Sequence, residues 1–385
     1  MSLPPLISWT ADGVTHSARW HSESGSPPPR RVLAADDRIS ADAAFSLASE
    51  GTALLWQGDF QNARQLLQAV ARRIDRKPRT ASSASGQAAF HLYRQAQSQR
   101  ARTLGMLLLP FEADFRLLLR RAPDVQQACS EAYGPVPAGS GHFVASLREL
   151  LGLIGAHEWR KKGVVVPALG ERIHPHYGVF APVRGEYVDL VATAPLPQNC
   201  ALAFDVGTGT GVLAAILARR GIARVVATDQ DPRALACAAD NLMRLGLAAQ
   251  VEVLPADLFP PGRAALIVCN PPWVPARAGS PLERAVFDPD SRMLMGFIAG
   301  LAAHLEPGCE GWLVLSDLAE HLGLRSRAAL LAAFAAAGLD LVGRVDAKPC
   351  HPRAADPGDP LHAARAAELT SLWRLSPCTA GSSNA

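Results

Sequence analysis

From Phe180 onward the chain alternates short apolar runs with helical patterns, and this alternation narrows the fold more than any other feature. Helical spacing marks 186–193, 212–220, 232–245, 291–304 and 326–337. Apolar runs mark strands at 201–206, 224–228, 250–254, 265–269, 312–315, 339–345 and 370–375. A strand followed by a helix and a second strand returns in parallel, with a right-handed crossover. Repeated units of this kind predict an α/β fold, an open, doubly wound, mostly parallel sheet with helices on both faces. Just upstream, 146–162 predicts a connecting helix. Residues 163–179 predict a hairpin, with strands at 164–166 and 172–177 around a turn at Leu169-Gly170.

The N-terminal part has a weaker α/β pattern. Pro4, Pro5, Gly25 and Pro27 to Pro29 predict a loosely ordered arm with one or two strand-like patches. Helices are predicted at 41–49, 60–74, 88–102 and 122–133, strands at 52–56, 104–109 and 115–119, and a polar loop at 76–86. The strand-turn-helix at Leu54 to Leu66 has only Gly58 in its turn, too few glycines for a nucleotide-like ligand to approach the backbone. No internal repeat relates the two parts.

A length of 385 residues suits two domains, divided near residue 160. The net charge of +3 gives no global pull toward nucleic acid. The seven cysteines, Cys129, Cys200, Cys237, Cys269, Cys309, Cys350 and Cys378, form no CxxC pair and are odd in number, against a disulfide framework or a structural zinc site. The first residues, MSLPPLISWTADG, lack the basic and apolar regions of a signal peptide, and no apolar run reaches about 18 residues. A cytoplasmic protein without membrane contact is expected.

Within the second part, Phe204-Asp-Val-Gly-Thr-Gly-Thr-Gly follows an apolar strand and opens a helix. Gly207, Gly209 and Gly211 permit a tight turn close to a ligand, and the helix N-terminus offers free N–H groups to a carboxylate. A structural turn or a dinucleotide site would read similarly. Two acids at successive strand ends sharpen the pattern. Asp229 can accept from both ribose hydroxyls. Asp257 can accept from an adenine amino group while the Leu258 N–H donates to the ring. Asp205, just before the first glycine, suits the amino group of a cationic amino-acid ligand and would repel a pyrophosphate. The Gly-x-Gly-x-Gly spacing also departs from the Gly-x-Gly-x-x-Gly of dinucleotide folds. Both points favour S-adenosylmethionine over NAD.

Asn270-Pro271-Pro272-Trp273 ends the fourth strand, where ligands of open α/β sheets bind. The prolines stiffen the turn and remove backbone donors. The Asn270 side-chain oxygen and the Pro271 carbonyl can both accept from one NH₂ group, and Trp273 can stack on the flat group that carries it. The nitrogen lone pair is then aimed at a sulfonium methyl, and the two acceptors stabilise the positive charge that develops on nitrogen.

Together, Asp205 to Gly211, Asp229, Asp257 and Asn270 to Trp273 resemble class I S-adenosylmethionine-dependent methyltransferases. The closest likeness is to the release-factor glutamine methyltransferases and their small-domain relatives. Arg184-Gly185-Glu186-Tyr187 is similar to the Arg-Pro-Glu-Thr segment found there. The resemblance covers roughly 163–376 and implies a Rossmann-like methyltransferase domain at 161–385. It also implies an N-terminal substrate-recognition domain at 1–160, built as a smaller α/β unit. The implied cofactor residues are Glu186, Asp205, Gly207, Thr208, Gly209 and Gly211 on the first strand and its flanks. Asp229, Gln230, Asp257, Leu258 and Asn270 complete that set. The implied catalytic residues are Asn270, Pro271, Pro272 and Trp273, where the family usually has Tyr or Phe in place of Trp. The first 160 residues do not resemble the five-helix bundle of the release-factor enzymes, and an insert at 350–366 separates the last two strands.

The implied acceptor is a planar amide or exocyclic amine of a protein or RNA, with a small molecule or a non-catalytic cofactor-binding module as alternatives. His174-Pro175-His176 and Cys350-His351 lack a third ligand at sensible spacing and predict no metal. Arg72, Arg73, Arg76, Lys77, Arg79, Arg116, Arg120 and Arg121 could contact phosphates, or could simply form a solvated helix face and loop. Met293, Met295 and Phe297 are expected to serve core packing rather than a substrate box.

Overall fold

The computed structural model describes residues 5–11, 13–76, 85–136, 141–183, 185–349 and 356–378. Arg184, Lys77, Arg79, Cys350 and His351 lie outside the described residues. The chain divides into two compact units: Met1–Ser83 with His91–Glu158, and Ala84–Phe90 with Trp159–Ala385.

In the N-terminal unit the chain runs through β1 (Leu6–Ala11), β2 (Val14–Trp20), β3 (Arg31–Ala35), α1 (Ala41–Ser49), β4 (Thr52–Trp56) and α2 (Phe60–Arg76). It continues through α3 (Gly86–Leu104), β5 (Leu107–Phe111), α4 (Gln126–Tyr133), β6 (Phe143–Ser146) and α5 (Leu147–Lys162). The first turn of α3 and the end of α5 belong to the second unit. The strands form one six-stranded sheet in the order β1-β2-β6-β5-β4-β3. The one or two strand-like patches expected in the arm are two strands, and they pair as an antiparallel hairpin with Leu6 opposite Arg19. Its pairing with β6 is a long-range contact that local periodicity does not encode. The predicted strand at 115–119 is irregular backbone just after a turn. Phe115 sits at φ 70°, a left-handed conformation that no strand accommodates, and its N–H donates to the Glu112 carbonyl.

The C-terminal unit opens on the two-stranded pair β7 (Val164–Val166) and β8 (Glu171–Ile173). There follow α6 (Glu186–Thr193), β9 (Leu202–Val206), α7 (Val212–Arg219), β10 (Arg224–Asp229), α8 (Pro232–Arg244), β11 (Val251–Pro255) and β12 (Ala264–Cys269). The rest is α9 (Arg292–His304), β13 (Leu305–Ser316), α10 (Leu318–His321), α11 (Arg327–Ala336), β14 (Leu339–Ala347), α12 (His362–Ala367) and β15 (Thr370–Pro377). Seven strands pair in the order β11-β10-β9-β12-β13-β15-β14. Only β15 runs against the others. This is the doubly wound, mostly parallel α/β sheet that the alternation predicts. Chain progression reverses between β9 and β12, so their following loops diverge to opposite faces and leave a crevice at the strand ends.

Every residue of β12 is buried, as expected of a strand covered on both faces. Its side chains alternate between two apolar layers. Leu266 and Val268 join the layer built with α6, α7 and α8, while Ile267 and Cys269 join the layer under α9 and α11. Helix α7 is buried from Val212 through Ala218, which explains its lack of a polar face. Among the described residues no helix is long and apolar enough to cross a membrane.

Phe297 on α9 is fully buried and stacks on Phe259, with ring centroids 5.6 Å apart. Replacing it by alanine leaves a ring-sized cavity under the helix. Phe297→Ala is expected to lower the unfolding free energy of this unit by about 3–5 kcal/mol, read from the urea midpoint. A loss under about 1 kcal/mol would contradict this packing.

Candidate active site

The crevice is set by strand register. Val206 of β9 pairs with Cys269 of β12, and Thr228 of β10 pairs with Val206. The next residues, Gly207, Asn270 and Asp229, therefore leave three neighbouring strands at one level. Asp229 in turn pairs with Pro255 of β11, two residues before Asp257. All the sequence-predicted strand-end residues thus gather along one edge of the sheet.

The glycine turn is fastened from inside. Asp205 is only 1% exposed. Its Oδ2 accepts from the Thr208 hydroxyl at 2.6 Å and from the Ala214 N–H at 2.9 Å. The sequence reading offered Asp205 to a ligand amino group. In the structure its Oδ2 serves the turn and the first turn of α7, whose donors need a buried acceptor. Burial pushes the Asp205 carboxyl up to about 6, against the lowering effect of its bonds with Thr208 and Ala214. The N–H groups of Gly207 and Thr208 both donate to the Thr228 carbonyl, at 2.9 and 2.8 Å.

Gly207 has φ 74°, and a Cβ there would lie 2.3 Å from the methyl carbon of Met293. Gly211 has φ 81°, and its Cβ would crowd the backbone of Ala238 on α8. Around Gly209, by contrast, a Cβ would meet nothing within 4 Å. The third glycine is therefore demanded by packing against backbone, the first by its left-handed φ since only the mobile end of Met293 lies over it, and the middle one faces open space.

Asp229 spans the turn. Its Oδ2 accepts from the Gly209 N–H at 3.1 Å and its Oδ1 from the Asp231 N–H at 2.9 Å. Burial raises its carboxyl pKa, which marks a carboxylate short of solvation. Gln230 beside it is exposed. Asp257 is exposed and its Oδ2 accepts from Arg292 Nη2 at 2.5 Å. Leu258 follows at φ 78°, and its carbonyl accepts from the Thr228 hydroxyl at 2.6 Å. Glu186 heads α6 and is half-buried.

On the other side of the crevice Pro271 is buried, and Asn270, Pro272 and Trp273 are half-buried. Trp273 packs against both apolar layers, and its indole N–H donates to Asn270 Oδ1 at 2.8 Å. The ring read from the sequence as a stacking surface is thus first a support for Asn270. The turn then bridges Val274 to Phe287. Buried Asp288 receives the Met293 and Leu294 N–H groups on its Oδ2, at 2.9 and 3.1 Å, and so caps α9.

Sequence reasoning missed Thr228, Asp288 and Arg292, and treated Met293 as packing alone. Only Asp288 left a signal, an acid shortly before a helix start. The two histidines are structural. His174 Nδ1 lies 2.6 Å from the Arg160 carbonyl, and His176 Nε2 lies 2.9 Å from Asp240 Oδ2. Among the described residues no group of three or more His, Cys, Asp or Glu side chains could hold a metal ion.

Residues 172–335, which hold all these positions, match the family model described as the methyltransferase small domain. Over 121 residues the chain is 39% identical to the release factor glutamine methyltransferase of Cereibacter sphaeroides, covering 31% of this chain and 40% of that protein. Over 69 residues it is 51% identical to the ribosomal protein L11 methyltransferase of Pelotomaculum thermopropionicum, covering 17% of this chain and 22% of that protein. The chain thus spans less than half the length of these curated relatives. Among solved structures, the ribosomal protein L11 methylase of Lactobacillus delbrueckii subsp. bulgaricus shares 18% identity at a TM-score of 0.33, covering 50% of this chain and 78% of that one.

The Asp205 shift has a pH signature. A folded-state pKa of about 6, above the ordinary 3.8, means that the folded chain favours the protonated carboxyl. That contribution to stability is fully present below about pH 4 and is lost as pH rises through 6. Asparagine keeps the oxygen acceptor and removes the titration. The stability of wild type relative to Asp205→Asn is expected to fall by about 2 kcal/mol between pH 4 and 7, mostly below 6, and then level off. Parallel stability curves for the two proteins across that range would refute the assignment.

Proposed function

We propose, from the place of residues 172–335 in the methyltransferase small domain family, that this chain is an S-adenosylmethionine-dependent methyltransferase. We take its acceptor to be a planar NH₂ nitrogen of a macromolecule, a protein side-chain amide foremost. The observation that carries this reading is the register of β9 with β12. It sets a glycine turn suited to the methyl donor directly beside Asn270-Pro271, a pair of acceptors suited to the nitrogen.

The residues fit the donor. Asp229 is a half-buried carboxylate at a strand end, and two ribose hydroxyls would supply donors that its partial burial withholds. Gly209 leaves room for close approach. Bound S-adenosylmethionine supplies a sulfonium methyl. The chemistry it would supply there is transfer of that methyl to the acceptor nitrogen, the S–C electron pair staying on sulfur and one N–H proton passing to water. Asn270 Oδ1 and the Pro271 carbonyl hold the nitrogen and offset its developing charge.

Two lines favour a protein acceptor over RNA. The relatives are named for methylating a release factor and a ribosomal protein. In the N-terminal unit, several arginines that could meet phosphates are already committed. Arg73 pairs with Asp42, Arg116 with Asp114, and Arg120 and Arg121 both with Asp59, whose side chain is wholly buried. We assign substrate recognition to this unit.

Calorimetry is expected to give micromolar binding of S-adenosylmethionine and none of NAD; the absence of S-adenosylmethionine binding by folded protein would sink the reading. Asp229→Ala should weaken that binding by about 1–3 kcal/mol. Asn270→Ala should leave it nearly intact and lower tritiated-methyl transfer by about 10²-fold or more. An equal loss of cofactor affinity in Asn270→Ala would remove Asn270 from its role on the acceptor.

A further inference from the structure

The hydrogen bond between Trp273 and Asn270 has only one chemical polarity. An indole N–H donates and never accepts, so the atom facing it at 2.8 Å must be the amide oxygen and not the NH₂. Turning the Asn270 amide over would set donor against donor and leave the indole N–H without its partner. The indole ring is held in this position by its contacts with the apolar layers on both sides of the sheet. Tyrosine or phenylalanine at 273 would offer no N–H at this position.

We propose that Trp273 is a positioning residue. Its N–H locks the Asn270 amide in one orientation, with one lone pair of Oδ1 taken by the indole and the other left for the acceptor nitrogen. This inference rests on the reading of Asn270 as the grip on that nitrogen. It adds a restriction on the substrate. With the oxygen half committed, the reacting NH₂ is shared between the remaining lone pair and the Pro271 carbonyl. The Asn270 Nδ2 group, fixed on the opposite arm of the same amide, becomes a constant donor. An acceptor that carries an oxygen or ring nitrogen next to its NH₂, as a carboxamide does, answers that donor. An isolated amine does not.

The test begins without any acceptor. In ¹⁵N-labelled full-length protein, Trp273→Phe identifies one of the seven indole resonances by its loss. Asn270→Ala should shift that resonance and speed its hydrogen exchange about tenfold or more, whereas Asn270→Asp, which retains an oxygen acceptor, should keep it protected. The Asn270 Nδ2 group, rigid in wild type, should become mobile in Trp273→Phe. An indole resonance that ignores Asn270→Ala, or an Nδ2 group equally rigid in both proteins, overturns the proposal.

Kinetics then follow on the fraction that wild type methylates with tritiated S-adenosylmethionine. Trp273→Phe should lower kcat about tenfold, with the Kd for S-adenosylmethionine unchanged. A kcat within twofold of wild type also overturns it. If wild type methylates no fraction, the reading of function fails instead, and the resonance experiment still decides the lock.

Discussion

Parallel pairing of β9 with β12 is the constraint from which the rest of the C-terminal unit follows. Val206 and Cys269 face each other across it, so the chain leaves both strands at the same height. The chain goes from β9 to α7 on one face of the sheet, and from β12 toward α9 on the other. Divergence of the two connections opens the crevice, and no side chain has to be sacrificed to make it. A slip of one residue in this register would exchange the faces of β12, moving Leu266 and Val268 into the opposite layer. Burial of β12 on both faces fixes the pairing, and the pairing fixes the site.

That geometry forces polar groups inward, and the unit deals with them by stacking acceptors. Asp205 takes the Thr208 hydroxyl and the Ala214 N–H. The Thr228 carbonyl takes the two N–H groups that begin the turn, while its hydroxyl holds Leu258. An unpaired buried N–H costs about 1–3 kcal/mol, so each of these bonds removes a penalty more than it adds a gain. Burying the Asp205 carboxylate is the cost of that arrangement, visible in its raised pKa. The turn is consequently rigid before any ligand arrives, which suits a site that must aim one atom at another.

What the sequence made legible follows from how local the signal was. Most helices and strands from α6 to β15 repeat apolar residues at their own period, and central strands such as β12 bury both faces, so the sheet's architecture could be read directly, while the short helices α10 and α12 could not. The hairpin β1–β2 could not, because its partner β6 lies more than a hundred residues away. In the site, glycines and strand-end acids stood out by type and spacing. The direction in which Asp205 points could not be read, since it depends on the Ala214 N–H nine residues on. Nor could the Trp273–Asn270 bond, since aromatic residues at that position usually invite a stacking argument and the indole N–H is seldom counted.

Helix α9 ties the two sides of the crevice together, and its sequence shows how. Arg292 holds Asp257, and Met293 covers Gly207. A Cβ at Gly296 would strike Leu258 and one at Gly300 would strike the Phe259 ring, so two glycines four residues apart let the helix settle onto the loop after β11. Its N-terminus is held by Asp288, whose own N–H donates to the Val274 carbonyl, one residue after Trp273. The turn that carries Asn270 and the loops that carry Gly207, Asp257 and Leu258 are therefore fastened to one helix. A shift of the Asn270 turn would move α9, and α9 would carry the shift to the loops after β9 and β11. The close approach of Gly296 to Leu258 and of Gly300 to Phe259 leaves little room for such a shift, so the helix holds these loops together as well as the register beneath them does.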